Sequence, residues 1–382
     1  MRCNALEGGD NPVLKVSPVP VKRQQTDADL LALFAQRGFV PSDVPILQPA
    51  EPFIELSGED IRRRLYLVAD AGDEETCLRP EFTIPAARAY LGNGHPETSA
   101  FAFVGPVFRQ RTDAPGEFVQ AGLESFGRTD IEAADADMLA LAIETEAALG
   151  GQDLTIRIGD VGLSAALITA LDLPAVVARR LRQVGLNKGA GAGAAANGLS
   201  AYQGVLHALK GTDPAEARAF VTDLLSIAGL KAVGGRTPQE IADRFLEKAE
   251  DTGAGLSSEQ TAILTHFSAI TGTPGQVVAD VRKLAAETKL DLSAALHRFE
   301  ARNAALAARG IPLARLNAST AFARNLDYYT GFVFEFVAAG QDRPAIAGGR
   351  YDGLLRRLGA KADIPAVGCA IWLERFSRGA TA

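Results

Sequence analysis

Residues 117–127 read EFVQAGLESFG, and the reading of this stretch decides the fold. Its apolar and polar residues alternate, and successive side chains of a strand point to opposite faces. Gln120, Gly122 and Glu124 therefore share one face, with Ala121 and Leu123 on the other. An amide and a carboxylate flanking a residue without a side chain form a small polar recess, suited to an ammonium group or an imidazole edge. LRPEFTI (residues 78–84) and AFAFVGPVFRQR (residues 100–111) alternate similarly, with Pro and Gly punctuation, and predict antiparallel strands covered on one face. In that register Arg109 shares a face with Arg111, and Glu81 with Thr83.

Helices are predicted on either side. Thr26 to Asp29 reads as a cap box before Leu30, Leu31, Leu33 and Phe34, with Gly38 as the stop, and a second helix runs from about Ala134 to Leu149 before Gly150 and Gly151. From residue 152 to 305 one strand, DLTIRIGD, precedes mostly helical spacing. Helix starts are marked at Thr237, Ser257 and Thr273, the first and last with Pro at the first helical position. KGAGAGAAANG (residues 188–198) reads as a connector, since it lacks the Gly-Lys-Ser/Thr ending of a phosphate loop and no clear strand precedes it. Strands return in LDYYTGFVFEFV (residues 326–337), where Phe332, Phe334 and Phe336 oppose Val333, Glu335 and Val337. AIAGGRYDGLL then turns into a helix, and AVGCAIWLERF runs from a strand towards a helix start.

Composition narrows the function. The 382 residues are 47% hydrophobic, enough for one large domain plus a smaller one. Lys and Arg number 39 against 46 Asp and Glu, with no basic block, which argues against a nucleic-acid partner. Cys3, Cys77 and Cys369 show neither disulfide nor metal-ligand spacing, so no metal or cofactor is expected and a reducing cytoplasm fits. No signal-peptide core and no apolar run of about 18 residues is present, so no membrane span is expected.

Five ordered segments carry a resemblance: LRPEFTIPAARAY, GPVFR with EFVQAGLESFG, RNLDYYTGFVFEF, AGGRYDGL and AVGCAIWLER. They resemble the class II aminoacyl-tRNA synthetase core, specifically histidyl-tRNA synthetase. In order they match the first substrate-binding strand, motif 2, two histidine-specific segments and motif 3, and a looser similarity around residues 38–49 covers the motif 1 dimer interface. The resemblance implies an α+β fold: an antiparallel sheet of six to eight strands flanked by helices, dimeric through motif 1. Residues 1–151 and 306–382 would form the synthetase-like core and residues 152–305 a helical insertion, with no anticodon-binding domain. It also implies a histidine pocket. Glu81, Thr83, Gln120 and Glu124 match the residues that hold the amino group and imidazole, Arg109 matches the carboxylate-binding arginine, and Arg324, Tyr329 and Tyr351 fall on family positions beside Tyr328 and Asp327.

The nucleotide side departs from the family. Arg111 stands where the synthetase has an adenine-binding glutamate, and Trp372 where motif 3 has a second glycine. A donor replaces an acceptor, and an indole takes space that glycine leaves for a ligand. Arg109, Arg324 and Arg375 are retained and read as charge partners for bound histidine or for pocket carboxylates. The resemblance thus implies a family member without catalytic residues of its own, a histidine-sensing partner for the short-form ATP phosphoribosyltransferase that opens histidine biosynthesis. The alternative is an active histidine-activating ligase.

Overall fold

The computed structural model describes residues 21–57, 61–69, 75–94, 98–112, 114–151, 154–184, 219–220, 222–223, 256–324 and 328–376. The connector at 188–198, the helix start at Thr237 and Asp327 lie outside these residues. Two long strands, β5 (Ser99–Phe108) and β6 (Glu117–Phe126), form a hairpin in which Phe108 pairs with Glu117 and Ser99 with Phe126. Beside β6 lie β12 (Ala366–Trp372), β11 (Ile346–Arg350), β10 (Phe332–Val337) and β7 (Thr155–Asp160), all antiparallel to their neighbours. The sheet is mixed rather than wholly antiparallel, because its ends add parallel pairs: β1 (Val40–Pro41) on β5, and β9 (Leu316–Ser319) on β7, with β8 (Thr271–Gly272) last. Among the described residues it has nine strands, more than the six to eight anticipated. A second sheet orders β2 (Leu47–Pro49), β4 (Thr76–Leu78) and β3 (Leu67–Val68).

The alternation read in the sequence sets the two faces. Ala121 and Leu123, the three phenylalanines of β10 and Ile371 bury against α4 (Ile131–Ala148), α5 (Val161–Ala170), α7 (Ser258–Ala269), α8 (Pro274–Thr288) and α9 (Ser293–Ala308) in one apolar core. Phe118, Phe126, Tyr351 and Trp372 face the other way, against α2 (Glu51–Leu56), α3 (Thr83–Gly92) and the small sheet. Helix α6 (Ala175–Val184) packs on α5. The strand at 155–160 and the described helices after it thus share the core of the main sheet.

Two sequence expectations fail for identifiable reasons. LRPEFTI is not one strand: β4 ends at Leu78, Pro80 has no N–H to continue a ladder, and Glu81 turns the chain into α3. Its carboxylate accepts from the backbone N–H groups of Thr83 (2.6 Å) and Ile84 (2.9 Å), so Glu81 and Thr83 meet at a helix N-terminus rather than along a strand. The first helix, α1 (Val21–Gln36), runs through Thr26 instead of starting there. Helix formers at 21–25 carry it upstream of the apparent cap. The boxes at Ser257 and Thr273 form as read, each side chain accepting from the N–H three residues on while Gln260 or Gln276 reaches back.

Candidate functional site

A cavity of about 280 Å³ opens on the α3 face of the sheet, near the roughly 300 Å³ lower bound of small-molecule sites. All nine residues picked from the sequence line it: Glu81, Thr83, Arg109, Gln120, Glu124, Arg324, Tyr328, Tyr329 and Tyr351. β6 supplies Gln120 and Glu124, the start of α3 supplies Glu81 and Thr83, and Tyr351 follows β11.

Its acidic end is built around Glu124, 2% exposed. Thr83 Oγ1 donates to Glu124 Oε1 at 2.6 Å, and the Tyr351 hydroxyl donates to Oε2. Burial away from water raises the Glu124 carboxyl to about 8, against the lowering effect of these two donors. Burial likewise raises Glu81, although two backbone N–H groups and nearby Arg109 favour its charged form. Glu124 lies flat against the neighbouring strand because residue 368 is glycine; a Cβ there would coincide with its Oε2. Gly122 lines the cavity between Gln120 and Glu124, as the alternation anticipated, and a Cβ there would reach Phe82 in ordinary contact at 3.4 Å. The aromatic wall is a run of tyrosines, with Tyr328 5.1 Å from Tyr329 and 5.7 Å from Tyr351 between ring centroids.

The cationic side is unevenly engaged. Arg109 donates through Nε to the Pro80 carbonyl (2.8 Å), and burial lowers it to about 10. Arg324 pairs through Nη1 with Glu335 at 3.2 Å, as expected of an arginine facing a pocket carboxylate. Arg375 departs from that expectation: it stacks 4.5 Å over the Trp372 ring and donates to the Pro344 carbonyl. Arg111 does not line the cavity beside Arg109. The strand ends at Phe108, and Arg111 turns onto the Phe118 ring (3.6 Å) and pairs with Glu374 at 2.9 Å.

Reasoning from the sequence missed Glu335 and Cys369 as wall residues and treated Trp372 only as an obstacle, whereas all three line the cavity. A single glutamate in the otherwise apolar FVFEFV was the available signal for Glu335. Three buried donors in this wall, Gln120 Nε2, Arg324 Nε and Trp372 Nε1, have no acceptor among the described residues. Among the described residues no group of His, Cys, Asp and Glu is arranged to hold a metal ion, and no helix is long and apolar enough to cross a membrane. The lining brings carboxylates and guanidinium groups to one cavity, charges of both signs that a zwitterion could meet.

Comparisons with known proteins agree with this fold. A family model described as histidyl-tRNA synthetase matches residues 18–233 and 218–376. The ATP phosphoribosyltransferase regulatory subunit of Mesorhizobium japonicum is 39% identical over 357 residues, which cover 91% of this chain and 95% of that relative. That of Rhizobium meliloti is 36% identical over 364 residues, covering 93% and 96%. Among solved structures, an ATP phosphoribosyltransferase regulatory subunit/histidyl-tRNA synthetase from Bacillus halodurans C aligns with a TM-score of 0.66 over 96% of this chain and 82% of that one; at 20% identity it speaks for the fold alone. A histidine–tRNA ligase subunit from Alicyclobacillus acidocaldarius aligns with a TM-score of 0.55 at 25% identity, covering 97% of each chain. By its sequence, its fold and its relatives, this chain belongs to the ATP phosphoribosyltransferase regulatory subunits of the histidyl-tRNA synthetase family.

Proposed function

We propose that the chain is the histidine-sensing subunit of a short-form ATP phosphoribosyltransferase, required for the partner's activity and for its feedback inhibition. The observation that carries this reading is the cavity itself, where eight family-matched side chains and Tyr328 converge and bring the carboxylates of Glu81 and Glu124 together with the guanidinium groups of Arg109 and Arg324. Histidine is the proposed effector. Glu81, Thr83, Gln120 and Glu124 hold its ammonium and imidazole, Arg109 and Arg324 supply positive charge, and Tyr328, Tyr329 and Tyr351 enclose the ring.

The competing reading, a histidine-activating ligase, is favoured by the retained Arg109 and Arg324. Against it, Arg111 is committed to Glu374 and Phe118, and Trp372 forms a wall of the site. Neither leaves an acceptor or open space for adenine, so the chain should not exchange pyrophosphate with ATP in the presence of histidine. Exchange above background overturns the regulatory reading.

Self-association through residues 38–49 belongs to the same proposal. Val40 and Leu47, exposed at 58% and 52%, stand on β1 and β2 with Ile46 beside them, and apolar surface of this kind is usually covered by a partner. Free, buried Cys77 and Cys369 suit a reducing cytoplasm. The deciding experiment mixes the chain with a short ATP phosphoribosyltransferase and follows complex formation and phosphoribosyl transfer with and without histidine. Failure to form a complex by size exclusion defeats the proposal.

A further inference from the structure

Glu335 is the one charged side chain of β10, and the pairing of the sheet fixes where it stands. It lies opposite Ala347 on β11 and opposite Arg157 on β7. Ala347 lies opposite Ala370, and Ala370 opposite Gly122, so Gly122, Ala370, Ala347 and Glu335 form one row across the sheet. All four line the cavity, and Glu335 is the only one of them with a charge. Arg157 continues the row on β7 and does not line the cavity.

Each oxygen of Glu335 holds one arginine. Oε2 accepts from Arg324 Nη1 at 3.2 Å, and Oε1 accepts from Arg157 Nη1 at 3.3 Å. Arg324 lies past the end of β9 in no helix or strand, whereas Glu335 is bound into ladders on both sides. A carboxylate on a rigid strand therefore fixes an arginine whose own backbone is outside the sheet. The contact is shielded, with the Arg324 and Glu335 side chains 16% and 13% exposed, so water and salt screen it less than a surface pair. Arg157, 50% exposed, holds the same carboxylate from outside the cavity. An arginine free to rotate has to be ordered by its ligand, and that rotamer freedom is worth up to about thirtyfold in affinity. Glu335 orders the side chain before the ligand arrives, which is preorganisation.

We propose that Glu335 is a positioning residue for the pocket: held by Arg157, it sets the guanidinium of Arg324 in the cavity wall to meet the negative charge of the bound amino acid. The inference rests on the histidine-binding reading of the pocket and adds to it. Glu335 acts through Arg324 and not by its own charge, so its effect on binding exists only while Arg324 is present. Removing Arg324 leaves Glu335 paired with Arg157, and that variant therefore strands no carboxylate.

The test is a double-mutant cycle on L-histidine affinity, measured by calorimetric titration of the full chain: wild type, Glu335→Ala, Arg324→Met and the two changes combined. Glu335→Ala should weaken L-histidine about three- to thirtyfold when Arg324 is present, and less than about twofold in the Arg324→Met background. A purely structural or field effect of Glu335 does not depend on Arg324. Equal losses in both backgrounds would therefore overturn the proposal, and so would an unchanged affinity in the single variant. A gain would show that Glu335 competes with the ligand for Arg324, which also overturns it. Should Glu335→Ala fail to fold, Arg157→Ala decides by the same comparison, since that side chain is half exposed and outside the cavity. Its loss should be about two- to fivefold, again only with Arg324 in place. If the wild type binds no L-histidine, the reading of the pocket falls first and the inference with it. If the wild type and Arg324→Met bind it equally well, the pocket reading survives and only the role of Glu335 is lost.

Discussion

Glu124 illustrates what a single residue contributes to the site. Its face and neighbours could be read from the alternation in EFVQAGLESFG, but its charge state could not, because that depends on Thr83, Tyr351 and Gly368 closing over it. Its carboxyl titrates near 8 instead of near 4.5, so the folded protein holds a proton there that the unfolded chain releases. This contribution to stability is fully present below about 4.5 and is lost as pH rises towards 8. Glu124→Gln, which keeps the neutral form at every pH, should lose less thermal stability than the wild type between pH 5 and 8; parallel melting curves would contradict the shift. A cationic ligand reverses the balance by favouring the carboxylate. Histidine binding at pH 7 should therefore release a proton from Glu124, and affinity should rise with pH up to about 8. Calorimetry in buffers of different ionisation heat measures the release, which Glu124→Gln should diminish. Glu124→Ala should weaken binding about ten- to hundredfold, through loss of a charge-assisted hydrogen bond. The sole tryptophan in the sequence lies in the same wall, so its emission offers a direct reading of occupancy.

Elements were legible where the signal was local. The boxes at Ser257 and Thr273 form because cap and reciprocal partner lie three residues apart, and the phenylalanines of β10 face one core because strand side chains alternate. LRPEFTI misled because its alternation continued past Pro80, where the backbone ladder cannot. What joins elements across the chain left no local trace. Beneath the site, Arg302 binds Asp135 at 2.9 Å and Asp160 at 2.6 Å, while Arg350 donates to Asp135 (2.8 Å) and Asp352 (2.8 Å). Asp160 also caps α5, accepting from Gly162 and Leu163. This buried network ties α4, α9 and β7 to β11, immediately before Tyr351. Removing one member strands a buried charge, a loss of about 3–5 kcal/mol for related pairs. Asp135→Ala should lose stability of that order in urea unfolding, far more than Arg282→Ala, whose partner Glu300 is a surface residue. Similar losses in both variants would show that the network does not hold the elements together.

At the scale of the molecule, the sheet has two different faces: one carries the cavity, the other the long helices and the ion network. The parallel ends of the sheet escaped the sequence reading because β1 has two residues and β9 four, too short to show a period. The segment after the tyrosines connects the faces. Thr330 N–H donates to the Arg350 carbonyl at 2.8 Å, Asp352 N–H donates to Thr330 Oγ1 at 3.0 Å, and Val161 N–H donates to the Gly331 carbonyl at 2.9 Å. These bonds link the backbone that follows Tyr328 and Tyr329 to the ends of β11 and α5. Regulation of a partner requires more than a path, since a ligand moves an equilibrium only by its difference in affinity between two states. If histidine weakens phosphoribosyl pyrophosphate binding to the catalytic partner by some factor, phosphoribosyl pyrophosphate must weaken histidine binding to the complex by the same factor. Such couplings typically lie between about 5- and 150-fold. Histidine affinity measured on the assembled complex with and without saturating phosphoribosyl pyrophosphate should show this change, and the isolated chain should show none. Replacing Glu124 by Ala should move the histidine needed for inhibition up about ten- to hundredfold, in step with direct binding. Inhibition that persists at the original histidine concentration in that variant would mean that the signal enters elsewhere and that this cavity is not the sensor.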